Sequence, residues 1–89
     1  MVKIYRFTAS WCQPCKQLAK VLEAESINIP VYDIETNKEL VEKYKIKSVP
    51  TIVIDHGDGI IENIVGSNLT PYNKENLREL LANSREDKN

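Results

Sequence analysis

Residues 11–16 read Trp-Cys-Gln-Pro-Cys-Lys, and they hold the only two cysteines of the 89-residue chain. An apolar run at residues 2–7 precedes them and favours a β-strand, whereas apolar residues at helical spacing follow them. Cys12 is therefore expected at a helix N-terminus, where unpaired N–H groups and the helix dipole favour a thiolate. Cys15 is expected one turn later on the same helix face, within reach of a mixed disulfide at Cys12. Pro14 fits the first turn because a missing N–H costs little there. The stretch predicts a redox-active dithiol/disulfide pair.

Two other interpretations explain the cysteines less well. A pair of inert, buried cysteines would account for the residue types but not for their place at a strand-to-helix turn. A structural zinc ion needs four ligands, and the chain offers no third cysteine and a single histidine, His56, far along the sequence. We therefore expect a redox role and no metal.

The composition of the chain limits the class of protein and the kinds of partner that it can have. A chain of 89 residues with 42% hydrophobic and 28% charged residues suits one soluble globular domain. A net charge of −1 provides neither a basic patch for nucleic acid nor a polybasic segment for a membrane. Residues 1–3 lead straight into a predicted strand and do not resemble a signal peptide, so none is expected. We therefore expect a cytoplasmic protein, a setting in which a close cysteine pair is more often catalytic than structural.

The hydrophobic pattern predicts the element order βαβαββα. The expected strands span residues 2–8, 27–34, 51–55 and 60–65, and helices are expected to begin near residues 12, 37 and 71. Two consecutive strands joined by a helix must be parallel, whereas the closing hairpin is antiparallel. The predicted fold is α/β, with a four-stranded mixed sheet flanked by helices on both faces. It forms one domain over residues 1–83, followed by a disordered tail at residues 84–89.

Local signals mark several of the boundaries. Pro30 favours an edge position for the second strand, since proline cannot donate to a neighbouring strand. Thr36 and Glu39 fit a capping box for the second helix. Thr70 followed by Pro71 fits the N-cap and first residue of the last helix.

Three features of the sequence indicate a family: the element order, the motif Trp-Cys-x-Pro-Cys-Lys and the later segment Val49-Pro50-Thr51. In these features the chain resembles the thioredoxin family over nearly its whole length. The resemblance extends to the glycine of Val65-Gly66-Ser67. The resemblance implies that Pro50 is cis and faces the cysteines. It also implies a substrate groove, in which the backbone at Val49 pairs with an extended substrate segment. The groove residues expected from the resemblance are Trp11, Gln13, Pro14, Val49, Pro50 and Gly66.

The sequence departs from the thioredoxin pattern in three ways. Thioredoxins usually begin with an additional strand and helix, which this chain lacks, as do glutaredoxins and other small redox proteins. Gln13-Pro14 replaces the usual Gly-Pro, a dipeptide that helps to set the redox potential. Arg6 stands where thioredoxins carry a buried aspartate, and Val31 stands where they carry its lysine partner. If Arg6 faced the sulfurs, it would favour the thiolate and make the disulfide more oxidising. In the alternative, its side chain extends to the edge of the sheet, packs there and has no influence on the sulfurs.

The predicted function is that of a monomeric protein disulfide oxidoreductase. Cys12 attacks a target disulfide and Cys15 resolves the mixed disulfide, with no bound cofactor beyond the redox-active disulfide itself. The resemblance implies disulfide-containing protein substrates and an NADPH-linked thioredoxin reductase as electron donor. Two alternatives remain at this point: a glutathione-dependent, glutaredoxin-like enzyme, and a non-catalytic subunit that uses the groove at residues 49–50 to hold a partner.

Overall fold

Seven elements follow one another in the predicted order βαβαββα. The computed structural model describes the backbone of residues 2–86 and the side chains of residues 2–82. The strands are β1 (Lys3–Thr8), β2 (Val31–Asp33), β3 (Thr51–Asp55) and β4 (Ile61–Val65), and the helices are α1 (Gln13–Ala24), α2 (Lys38–Lys43) and α3 (Pro71–Glu86).

The four strands form one mixed sheet in the order β2-β1-β3-β4. β1 runs parallel to β2, with Arg6 beside Val31, and antiparallel to β3. β3 and β4 form the predicted antiparallel hairpin. Four of the five residues of β3 are buried, which fits its inner position. β2 lies at the edge of the sheet, as Pro30 predicts.

Alternating side chains of the strands build a core on each face of the sheet. On one face, Ile4, Ile52 and Ile54 pack with residues of α1 and α3, including Leu18, Leu22 and Leu77. On the other face, Phe7 and Val53 pack with Tyr44 and with residues of α2, including Leu40 and Val41. The prediction of helices on both faces is therefore confirmed.

The second strand is shorter than predicted, because it begins at Val31 rather than at Ile27. The Ile27 N–H donates to the Leu22 carbonyl, 2.9 Å away, and so ends α1 instead of joining a strand. Ile27 and Ile29 are nevertheless buried in the core. The apolar pattern that suggested a strand therefore reflects burial of a connecting loop, and pairing starts only after Pro30.

The helix caps agree with the sequence in one case and differ in another. Thr70 Oγ1 accepts a hydrogen bond from the Asn73 N–H at 3.0 Å, and α3 begins at Pro71, as predicted. The capping box predicted at Thr36 is wrong, because the N-cap of α2 is Asn37. The Asn37 side chain donates to the Asp33 carbonyl instead, at 2.9 Å, and so ties α2 to the end of β2.

The C-terminal helix continues beyond the predicted domain boundary. Its backbone is helical through Glu86, so residues 84–86, predicted as part of a disordered tail, belong to α3. The rest of the predicted tail, residues 87–89, lies outside the described residues.

Glu25 ties the C-terminal end of α1 to α3. Its carboxylate accepts hydrogen bonds from Lys74 Nζ at 3.1 Å and from Arg78 Nη2, and its carbonyl also accepts from Arg78 Nη2 at 3.2 Å. The hydrogen bond from Lys74, followed by that from Arg78, lowers the pKa of Glu25 below its ordinary value. Because the folded-state pKa is the lower one, this contribution to stability is present above the unfolded-state pKa and is lost as the pH falls through the folded-state value.

We therefore expect Glu25→Gln to make the stability of the protein less dependent on acidity. Between pH 6 and pH 3, the free energy of unfolding, measured by urea denaturation, should fall less in the variant than in the wild type. Glu79 lies on α3, as do Lys74 and Arg78, and makes no ion pair among the side chains of residues 2–82. Glu79→Gln should therefore follow the wild type. An equal acid dependence in Glu25→Gln and wild type would contradict this role of Glu25.

Candidate active site

The first turn of α1 surrounds one sulfur atom with favourable dipoles. Cys12 is the N-cap of the helix and has an extended backbone, with φ −95° and ψ 108°. The Cys15 N–H donates a hydrogen bond of 3.1 Å to Cys12 Sγ. Residues 13–16 contain no acidic side chain, so nothing in this turn offsets the positive end of the helix dipole. This turn therefore stabilises negative charge on Cys12.

Cys12 and Cys15 form a disulfide, with their Cα atoms 5.3 Å apart. Their exposed fractions are only 4% and 2%, and they pack with Ala9, Ile34 and Val49. Sequence reasoning missed Ala9 and Ile34. The available signal was their position at the carboxyl ends of two predicted parallel strands, which meet at the same edge of a sheet.

The loop before β3 completes the site. The Val49–Pro50 peptide bond is cis, which confirms the prediction for Pro50. The Val49 carbonyl oxygen lies 3.6 Å from Cys12 Sγ. The Pro50 carbonyl accepts a hydrogen bond of 3.0 Å from the Gly66 N–H. These contacts bring the three predicted segments, at residues 11–16, 49–50 and 66, together at one end of the sheet.

The surface around the disulfide is mostly open. Trp11 is 66% exposed and forms the largest apolar side chain beside the cysteines, and Gln13 and Pro14 are also exposed. Gly66 has φ +102°, and a Cβ atom at this position would meet no other atom within 4 Å. The structure therefore places every predicted groove residue near the disulfide, while the binding of substrate there remains a prediction.

One long-range contact near this surface was not predicted from the sequence. The Ser67 hydroxyl lies 3.4 Å from Gln17 Oε1 and can donate to it, which links the segment after β4 to the second turn of α1. Gln17 belongs to no recognisable motif, and the two residues are 50 positions apart in the sequence. Only the fold brings them together.

Among the described residues, Arg6 makes no contact with either sulfur. It lines a groove formed by the C-terminal half of α1 and by residues 26–30, and neither cysteine lines this groove. Burial lowers the pKa of its guanidinium below the ordinary value. Arg6 belongs to β1, an inner strand, so the expected position at the sheet edge and the expected influence on Cys12 both remain predictions without a supporting contact.

The described residues contain neither a candidate metal site nor a candidate membrane span. Within residues 2–82, no group of three or more His, Cys, Asp or Glu side chains could hold a metal ion. In the part of the chain that the structure describes, no helix is long and apolar enough to cross a membrane.

Comparison with known proteins places this geometry in a family. The thioredoxin family model matches residues 2–83. A thioredoxin of Staphylococcus epidermidis is 35% identical over 86 residues, which cover 90% of this chain and 79% of that protein. A bifunctional thioredoxin reductase/thioredoxin of Mycobacterium leprae is 33% identical over 67 residues, which cover 68% of this chain but only 15% of that protein. The solved structure of Fasciola hepatica thioredoxin aligns with a TM-score of 0.64 and 28% identity, covering 92% of this chain and 79% of that one.

The fold and the cysteine pair at the start of α1 define an enzyme of the thiol–disulfide oxidoreductase class. Within that class, the chain belongs to the thioredoxin family.

Gly66 offers a test of the groove. We expect Gly66→Ala to lower the free energy of unfolding by about 1–2 kcal/mol, because a side chain at positive φ is strained. The new methyl group would also project into the open space beside Pro50 and slow the reduction of a disulfide-bonded protein such as insulin. Gly59 is the matched control, since it has φ +81° and the same open surroundings but lies in the β3–β4 turn.

Gly59→Ala should cost similar stability and leave the rate of insulin reduction unchanged. Equal rates in the two variants would show that the space beside Gly66 is not part of the substrate groove.

Proposed function

We propose that this protein reduces disulfide bonds of other proteins, with Cys12 as the attacking thiolate and Cys15 as the resolving thiol. The observation that carries the proposal is the position of Cys12 Sγ, which accepts the Cys15 N–H at the start of α1 and lies beside the Val49 carbonyl. The helix end stabilises a thiolate at Cys12, and the neighbouring backbone offers an acceptor to an incoming segment.

The reaction proceeds by two exchanges. The Cys12 thiolate attacks one sulfur of the substrate disulfide, a mixed disulfide forms, and the other substrate sulfur leaves as a thiolate that takes up a proton. Cys15 then loses its proton and attacks Cys12 Sγ, which forms the Cys12–Cys15 disulfide and releases the second substrate thiol. Two electrons pass from the protein to its substrate. Both cysteines are nearly buried, at 4% exposed for Cys12 and 2% for Cys15, so the assignment of roles rests on the place of Cys12 at the helix start and on its hydrogen bond from the Cys15 N–H.

The substrate segment lies across the surface formed by Trp11, Val49 and Gly66. The exposed indole of Trp11 contacts apolar side chains next to the substrate cysteine. The Val49 backbone pairs with an extended stretch of the substrate, and Gly66 leaves room for it. Gln13 and Pro14 border the same surface on the helix side and are exposed.

A protein reductase restores the dithiol after each cycle. One similar protein, from Mycobacterium leprae, is described as a bifunctional thioredoxin reductase/thioredoxin, which supports a flavoprotein thioredoxin reductase using NADPH as the donor here. The only redox group that the protein itself needs is the cysteine pair, so we propose no bound cofactor. We further propose that the protein works as a monomer in the cytoplasm, where such a donor keeps the pair reduced.

The two cysteine roles can be separated by trapping. In Cys15→Ser, the mixed disulfide at Cys12 has no resolving thiol, so the variant should accumulate a covalent complex with a disulfide-bonded protein. In Cys12→Ser, no such complex should form and turnover should be abolished. The adducts can be counted by non-reducing electrophoresis and located by peptide mass spectrometry. Trapping by Cys12→Ser alone would reverse the assignment.

The electron donor can be tested with the oxidised protein. Catalytic amounts of a thioredoxin reductase with NADPH should reduce the Cys12–Cys15 disulfide, whereas glutathione with NADPH and glutathione reductase should reduce it far more slowly. NADPH consumption at 340 nm measures both rates when insulin is the final acceptor. Faster turnover with glutathione would instead identify a glutaredoxin-like enzyme.

A further inference from the structure

β4 forms one edge of the sheet, and the backbone groups of alternate residues point away from its only neighbour, β3. Within residues 2–86, no strand lies on the other side of β4. The Gly66 N–H donates to the Pro50 carbonyl at 3.0 Å, which continues the β3–β4 ladder beyond the strand ends. Because hydrogen-bonded pairs alternate along an antiparallel ladder, residues 60, 62, 64 and 66 face β3. Ile61, Asn63 and Val65 therefore direct their N–H and C=O groups outward.

The side chains of these outward-facing residues are exposed, and two of the three are apolar. Ile61 is 46% exposed and Val65 is 64% exposed, and Asn63 lies between them on the same face of the sheet. This is the face that carries α2, because Ile64, on the opposite face, packs against the core under α1 and α3. An edge with free backbone groups and exposed apolar side chains can accept a further strand.

Glu62 indicates which kind of strand fits this edge. It is the one charged residue of β4, it is exposed, and its carboxylate lies 2.7 Å from His56 Nε2. On an antiparallel partner, the residue opposite Glu62 belongs to a non-hydrogen-bonded pair, in which the two side chains lie closest. A lysine or arginine there would pair with the carboxylate, while apolar residues would fit opposite Ile61 and Val65.

A second copy of this chain fits the edge less well. Two β4 strands that pair about Asn63 bring Ile61 opposite Val65, but they also place Glu62 opposite Ile64 twice. A shift of the register by two residues can place the two Glu62 carboxylates opposite each other, which is destabilising. An edge of five residues also spans only about 17 Å, too little for the roughly 1,200 Å² that a stable interface buries. The edge therefore suits a transient partner that is held at a second point as well.

Such a second point lies at the end of β4 next to the disulfide. Val65 is followed by Gly66, which is hydrogen-bonded to Pro50. The carbonyl of the preceding residue, Val49, lies 3.6 Å from Cys12 Sγ. A strand that runs antiparallel to β4 therefore begins near the disulfide and continues away from it, toward the β3–β4 turn.

We propose that the free edge of β4 binds an extended segment of the disulfide-bearing protein substrate, on the C-terminal side of the cysteine that reacts with Cys12. This segment runs antiparallel to β4 and carries a basic residue opposite Glu62 and apolar residues opposite Ile61 and Val65. The inference rests on the proposed function, because it takes the bound protein to be the substrate of Cys12.

Binding can be measured without any reaction. The probe is a cysteine-free peptide, acetyl-Ser-Val-Val-Thr-Lys-Ile-Ser amide, added to the oxidised ¹⁵N-labelled protein. We expect saturable shifts and slower hydrogen exchange of the amides of Ile61, Asn63 and Val65. The other sheet edge, β2, is the internal control: Val31 is 51% exposed there, and its amide should not respond.

An exchange of charges tests the register. A second peptide, with glutamate in place of the lysine, should bind the wild type more weakly by roughly two- to five-fold, the factor expected for one cross-strand pair. Glu62→Lys should reverse this preference. His56→Gln removes the neighbour of Glu62 but keeps the carboxylate, and it should retain the preference for lysine.

The link to the disulfide site is tested by kinetics. A two-cysteine disulfide peptide is followed, after a short Gly-Ser spacer, either by the same segment or by a Gly-Ser stretch of equal length. The segment should lower KM by roughly three- to ten-fold and leave kcat nearly unchanged, because it adds a second contact to the same substrate. Asn63→Pro removes an outward N–H without breaking the ladder to β3, and it should abolish this advantage.

The outcomes separate this inference from the proposed function. Reduction of both disulfide peptides with equal KM, and no response of the β4 amides, would overturn the inference and leave the proposed function in place. Shifts of these amides that depend on protein concentration alone would overturn it in favour of a second copy. Peptide binding without any disulfide reduction would support the edge site and contradict the proposed function. If Asn63→Pro does not fold, the charge exchange at Glu62 still decides, since equal binding of both peptides would contradict the inference.

Discussion

The hydrogen bond from the Cys15 N–H to Cys12 Sγ is the interaction on which the rest of this structure depends. It exists only because Cys12 caps α1 with an extended backbone while Cys15 already belongs to the helix. β1 fixes where the cap lies, since the chain passes from its last residue to Cys12 in a short turn. The loop at residues 49–50 then closes over the sulfur from the neighbouring strand. The helix start, the strand end and the cis loop thus define a single reactive position.

The two ends of α1 carry different physical roles. Its first turn has no acidic residue and faces the disulfide, whereas its last residues lie among the charges of Glu25, Lys74 and Arg78. Between the two ends, Leu18 and Leu22 anchor the helix in the core shared with α3. The ion pairs at one end and the core packing in the middle hold the helix axis. The N-terminal turn therefore presents the sulfur in a fixed orientation, as a preorganised reactive group requires.

The sequence predicted what local patterns control. The motif at residues 11–16 marked the helix start, Thr70 and Pro71 marked the start of α3, and the alternation of apolar segments predicted the element order. It was less successful where burial and pairing differ. Ile27 and Ile29 are apolar because they fill the core from a loop, not because they belong to β2. Asn37, not Thr36, is the N-cap of α2, and its side chain donates to the Asp33 carbonyl. The packing of Ile34 against the cysteines and the contact between Gln17 and Ser67 depend on segments that meet only in the folded protein.

The most direct test of this account is the pH titration of the two thiols in the reduced protein, followed by NMR of ¹³Cβ-labelled cysteine. Because the helix N-terminus and the Cys15 N–H stabilise charge on Cys12, the Cys12 signal should titrate first, well below the value of about 8.5 that is usual for a cysteine. Cys15, which is equally buried but lies within the helix and does not cap it, should titrate at higher pH. Titration of Cys15 before Cys12, or of both thiols near the usual value, would contradict the claim that the start of α1 activates Cys12.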